Sequence, residues 1–126
     1  MRIEHIAVAS NSEKSSDKFF IDLLGLRKVR TFIVNENLIE KFFGTKKEQE
    51  IIRYSDEKIN IEVFITKDNS SAKDKFTHSC LIIEDRDRLV SKARLMGYDV
   101  IKVPRENSDI YYLFIKDSYG NLYEIK

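Results

Sequence analysis

His78-Ser79-Cys80-Leu81-Ile82-Ile83, in the second half of the chain, reopens a pattern that the first residues have already run through once. His5-Ile6-Ala7-Val8 sets a histidine in the same kind of alternating, strand-like run, read as a strand from Ile3 to Val8. A helix signal follows each histidine. After the first, Ser10 and Glu13 have capping-box spacing, Phe19, Phe20, Leu23 and Leu24 form an apolar stripe, and Gly25 suits a left-handed stop. After the second, Asp85 can cap a helix whose apolar positions are Leu89, Val90, Ala93 and Met96, and Gly97 ends it. The spacing repeats: His5 lies 20 residues before Gly25, and His78 lies 19 before Gly97. Three strand-like segments close each half, at 27–34, 49–54 and 59–66 and again at 99–103, 110–116 and 122–125. The first half adds a short helical turn at 38–43, closed by Gly44. Each half ends on a glutamate between apolar neighbours, Ile61-Glu62-Val63 and Tyr123-Glu124-Ile125. An internal duplication of about 60 residues explains these coincidences, and neither copy alone could bury enough apolar area to be stable. The expected arrangement is a single domain over 1–126, with module 1 at 1–67 and module 2 at 77–126, joined by the polar linker 68–76.

Composition narrows the possible functions. At 126 residues and 14.9 kDa there is no room for a separate regulatory domain, and 42% hydrophobic with 34% charged residues is a soluble globular balance. Twenty-two basic against 21 acidic side chains leave a net charge of +1, too little to neutralise phosphates, so nucleic acid is excluded as a partner. No apolar run approaches the roughly 18 residues of a membrane span, and no targeting segment stands at the start, so a cytoplasmic chain without membrane contact is expected. The single cysteine, Cys80, forms no intrachain disulfide and reads as a small buried hydrophobe. Tyr111 and Tyr112 point to opposite faces of one strand, one toward a cavity and one toward the core. Lys46-Lys47 and the run from Arg86 to Arg94 read as solvated faces. Phosphate-cradling glycine loops, nucleophile elbows and Cys-x-x-Cys pairs are absent.

The chemistry rests on the only two histidines, which occupy equivalent places in the two copies. A duplicated scaffold brings equivalent positions together about its pseudo-twofold axis. Period-two alternation then tests whether the glutamates join them. In 59–64 the residues Ile59, Ile61 and Val63 form the face that packs on a helix, leaving Asn60, Glu62 and Phe64 on the other. Ile6 and Val8 pack while His5 points away. Leu81 and Ile83 pack while His78, Cys80 and Ile82 do not, and Tyr123 with Ile125 leaves Leu122 and Glu124 opposite. His5, Glu62, His78 and Glu124 all fall on the face away from the helices. Two imidazoles and two carboxylates suit one divalent ion per site: Ni, Zn, Co, Mn or Fe(II). Four protein ligands on an octahedral ion leave two neighbouring positions open for the vicinal oxygens of a small-molecule substrate. Such chelation polarises a carbonyl and acidifies the adjacent C–H, giving an enediolate.

His5-Ile6-Ala7-Val8, Phe19-Phe20-x-x-Leu23-Leu24-Gly25-Leu26, His78, and Phe114-x-x-Asp117-x-x-Gly120-Asn121-x-x-Glu124 together resemble the vicinal oxygen chelate superfamily, the glyoxalase, bleomycin resistance and dioxygenase proteins. The resemblance spans nearly the whole chain, with Ser118 where a proline is common. It implies an α+β fold of two βαβββ modules forming a curled mixed sheet, and a homodimer. The ligand order His, Glu, His, Glu is similar to glyoxalase I, which implies a metal-dependent lyase or isomerase of the lactoylglutathione lyase kind. In that family a metal-bound glutamate moves the proton, a role that would fall to Glu124 with Glu62 as its counterpart. Ala9 stands where glutathione-using members have arginine and Thr66 where they have asparagine, so the thiol carrier is open. The alternatives are an acyl-CoA epimerase of the methylmalonyl-CoA type and a non-catalytic, antibiotic-resistance-like binding protein.

Overall fold

Alternation along the strands and the polarity of the turns between them shape two separate sheets. The computed structural model describes residues 1–126, which form two compact units, Met1–Ser71 and Ala72–Lys126.

In the first unit the chain runs β1 (Ile6–Ser10), α1 (Glu13–Asp17), a π-helical continuation (Lys18–Leu23), β2 (Arg27–Val34), α2 (Glu36–Phe43), β3 (Gln49–Ser55) and β4 (Asn60–Ile65). The sheet order is β1-β4-β3-β2, with β1 parallel to β4 and the other pairs antiparallel. Ile61 and Val63 of β4 are completely buried beside Ile52 and Tyr54 of β3, on the face that receives Phe19, Phe20 and Leu23. The wider π turn lets both phenylalanines turn inward. The Phe20 ring stacks on Tyr54 at 5.0 Å and meets Phe19 edge-on at 5.2 Å. The Tyr54 hydroxyl donates to Asp17 at 2.7 Å. Burial, reinforced by that carboxylate, pushes the hydroxyl's pKa above its ordinary value.

The second unit runs β5 (His78–Leu81), α3 (Arg86–Leu95), β6 (Asp99–Pro104), β7 (Tyr111–Lys116) and β8 (Leu122–Ile125), in sheet order β5-β8-β7-β6. Here too the first strand is parallel to the last. Leu113, Ile115, Tyr123 and Ile125 are buried, as are Leu89, Val90 and Ala93 of α3. Asp85 caps α3 as expected, accepting from the Arg88 N–H at 2.9 Å. Both units therefore carry the same plan, and the additional α2 sits between β2 and β3 of the first. No helix is long and apolar enough to cross a membrane.

Four local expectations are corrected. Strand β1 starts at Ile6 rather than Ile3, because the Asn60 side chain, and not the strand ladder, binds the Glu4 carbonyl, at 3.0 Å. The cap of α1 is Ser12, whose hydroxyl accepts from the Ser15 N–H at 3.1 Å, since Ser10 is still within β1. Cys80 is exposed, because β5 lies at the sheet edge and its helix-facing positions are Ser79 and Leu81. Arg86 is half-buried rather than solvated: its guanidinium stacks 4.5 Å from the Tyr111 ring and donates to the Tyr111 carbonyl at 3.1 Å. Tyr112, on the opposite face, is exposed.

Asp117 holds the turn that aims β8. One carboxylate oxygen accepts from the N–H groups of Tyr119, Gly120 and Asn121, and the other from the Asn121 amide and the Tyr123 hydroxyl. Burial pushes its carboxyl up, against the pull of these donors. A raised folded pKa means that the protonated form is favoured, so this contribution to stability is present below the ordinary carboxylate range and lost as pH rises through the raised value. Asp117→Asn removes that penalty at neutral pH and keeps an oxygen for the three main-chain donors but turns an NH2 group toward the Asn121 amide and the Tyr123 hydroxyl, so it should lose some stability in urea, less than Asp117→Ala. Asp117→Ala strands those donors and should cost about 2–4 kcal/mol. Equal stability of the two variants would refute this account of the turn.

Candidate functional site

The parallel pairing of first and last strand sets each histidine beside its glutamate. In the second unit His78 is paired with Leu122 and Cys80 with Glu124. His78 Nε2 stands 3.8 Å from a Glu124 oxygen. In the first unit Ala7 is paired with Glu62, and His5, just ahead of β1, reaches back so that Nε2 is 3.4 Å from Glu62 Oε2. Each unit therefore brings one imidazole and one carboxylate together on the sheet face away from its helix. No group of three or more His, Cys, Asp or Glu side chains in the chain is placed so as to hold a metal ion. Each unit holds one His–Glu pair.

The second ring nitrogen decides what those pairs can do. His78 Nδ1 lies 2.8 Å from the Phe76 carbonyl, which can only accept, so Nδ1 carries a hydrogen. His5 Nδ1 bonds the Glu4 carboxylate in the same sense. The bond to His5, with Arg53 nearby, holds the Glu4 carboxyl below its ordinary range. With Nδ1 a donor, Nε2 of a neutral imidazole is a bare lone pair, and in both units it faces a carboxylate oxygen. Two acceptors then confront one another unless the ring takes a second proton and donates to the carboxylate, or a metal cation stands between them. Two ligand bonds of about 2.0–2.2 Å each sum to more than either gap, so both pairs fit a zinc-like ion by reach as well as by donor type. An acceptor behind Nδ1 is also the support that metal-binding histidines commonly have.

The surroundings differ between units. Arg53, directly across the β3–β4 ladder from Glu62, donates to its Oε1 from Nη2 at 2.7 Å and Nε at 3.2 Å. Phe114 holds the corresponding place opposite Glu124, and its ring meets His78 edge-on at 5.7 Å. Phe64, two residues beyond Glu62 on the same face, receives Phe43 of α2 edge-on at 5.5 Å, an apolar wall beside the first pair. The Cys80 thiol neighbours Glu124, and partial desolvation by the surrounding side chains, followed by that carboxylate, raises its pKa although the residue is exposed. Glu4 and Arg53 escaped the reading of the sequence. The signal was present: counting back from the polar turn after Ser55 sets Arg53 opposite Glu62.

No protein-family model and no protein of curated function matches the chain in sequence. Solved structures do match in shape. A glyoxalase family protein from Bacillus cereus superposes with a TM-score of 0.75 at 19% identity, over 99% of this chain and 92% of that one. A glyoxalase family protein from Enterococcus faecalis gives 0.71 at 15% identity, over 98% and 95%. The fosfomycin resistance protein FosX from Listeria monocytogenes, in complex with Mn(II) and 1S,2S-dihydroxypropylphosphonic acid, gives 0.71 at 12% identity, over 98% and 87%. At these identities the likeness establishes the architecture, and the chain has the α+β fold of the glyoxalase family and FosX proteins.

Proposed function

We propose that His5, Glu62, His78 and Glu124 are the ligands of one divalent metal ion, and that the protein is a metal-dependent lyase or isomerase of the glyoxalase I kind. The supporting observation is the repeated orientation: in each unit Nδ1 donates to an acceptor while Nε2 faces a glutamate oxygen. A bound divalent ion would polarise a chelated carbonyl and acidify the adjacent C–H. Glu124 then takes the proton from one carbon and returns it to its neighbour, and Glu62 remains a ligand. The side chains beside the first pair bear on the substrate. Ala9, paired with Phe64, offers no cation to a glutathione carboxylate, and the Thr66 hydroxyl is engaged by the Asn11 amide at 3.3 Å. These two positions favour a thiol carrier other than glutathione and leave an acyl-thioester epimerase as the second reading, against which Glu62 stands where epimerases typically have glutamine.

Metal uptake is the first test. Chelator-treated protein should bind Mn(II), the ion present with FosX, as followed by loss of the free-ion electron paramagnetic resonance signal. His5→Ala and His78→Ala should each cost more affinity than the roughly tenfold to hundredfold lost with a supporting residue. A wild-type chain that takes up no Mn(II), or alanine variants that bind as wild type does, would overturn the proposal. Hemithioacetals and acyl thioesters incubated in D2O then separate the readings: an enzyme exchanges a substrate C–H only with metal present, and a sequestering protein binds without exchange.

A further inference from the structure

Glu62 and Glu124 hold equivalent places and are held in unequal ways. Arg53 directs two N–H groups to one oxygen of Glu62 and, on its other side, donates to Glu4 Oε1 from Nη1 at 3.2 Å. Glu4 Oε2 in turn accepts from His5 Nδ1. The four side chains close a ring: His5 to Glu4, Glu4 to Arg53, Arg53 to Glu62, and Glu62 Oε2 back to His5 Nε2 at 3.4 Å. Rotating either His5 or Glu62 breaks a charge-assisted bond, and a guanidinium fork fixes direction as well as distance. Around Glu124 there is no such ring. Its Oε1 has Lys126 Nζ at 3.4 Å, a flexible side chain that is 58% exposed, and its other neighbours are the Phe114 ring and the weakly donating Cys80 thiol. An oxygen already holding two guanidinium N–H groups cannot take a proton without giving them up.

We propose that Glu4 and Arg53 are a positioning pair that locks Glu62 as a one-oxygen ligand through Oε2, leaving Glu124 as the glutamate free to move the proton. The inference rests on the metal-ligand reading of the two His–Glu pairs and adds an unequal division of work between them. Its sign is testable. If Arg53 acted only through its charge, removing it would strengthen binding of a cation; if it positions Glu62, removing it weakens binding.

Mn(II) titration of the full chain decides between these. Arg53→Met should weaken binding by about tenfold to a hundredfold, and Arg53→Lys, which keeps one donor, should restore part of the loss. Glu4→Gln should weaken binding less. The double variant Glu4→Gln with Arg53→Met should bind about as weakly as Arg53→Met alone, because a ring opened once gains nothing further from a second break. The metal-free thermal midpoint of each variant checks folding, and the exposed Glu4 variant carries the test should Arg53→Met fold poorly. Arg53→Met that binds Mn(II) as tightly as wild type or tighter, or effects that simply add, would overturn the positioning role and leave the metal reading standing. A wild-type chain that binds no Mn(II) overturns both.

Discussion

Glu124→Gln should leave Mn(II) bound and stop the exchange of substrate C–H with D2O, a loss on the order of 10²–10⁴-fold in rate, the range that general acid–base catalysis supplies. The amide keeps a carbonyl oxygen able to coordinate a metal but has no lone pair basic enough to receive the proton. The one cationic donor near Glu124 is Lys126 Nζ, 3.4 Å from Oε1 on a flexible side chain that is 58% exposed, which holds the amide less firmly than a guanidinium fork, so its oxygen can turn to the metal. Glu62→Gln should behave in the opposite way. The guanidinium of Arg53 needs an acceptor, so the new amide oxygen faces Arg53 and the NH2 group is left where Oε2 faced His5. Metal affinity, rather than the proton step, should then fall. Exchange by Glu124→Gln at the wild-type rate would remove Glu124 as the base, and equal Mn(II) affinity for Glu62→Gln and wild type would remove Glu62 as a ligand.

Phe20→Ala should cost about 3–5 kcal/mol, a large share of the roughly 5–15 kcal/mol that holds a typical domain folded. The Phe20 ring is 1% exposed and lies between Tyr54 and Phe19 in the layer that covers β3 and β4. Removing it leaves a cavity that the fully buried Ile52, Ile61 and Val63 are too tightly placed to fill. Urea unfolding followed by circular dichroism measures the loss, and Phe20→Leu should recover most of it. A cost below about 1 kcal/mol would mean that the helix is loosely docked and that Phe20 is not central to the core.

The doubled strand-and-helix order, the buried face of each strand and the positions of His5, Glu62, His78 and Glu124 could be read from residue order, because alternation and helix stops are local properties. The same local rules misplaced the start of β1, the cap of α1 and the environment of Cys80. Each of those depends on what lies across the ladder or at the edge of the sheet: Asn60 reaching the Glu4 carbonyl, Ser12 rather than Ser10 at the helix start, and an outermost strand with one face uncovered. Sequence alone thus determined which residues face away from the helices. The tertiary structure decided which of them touch, which nitrogen of each histidine is turned to a carboxylate, and that Arg53 stands opposite one glutamate while Phe114 stands opposite the other. Facing is set by a period of two along one strand, whereas contact is set by register between strands that lie far apart in the chain.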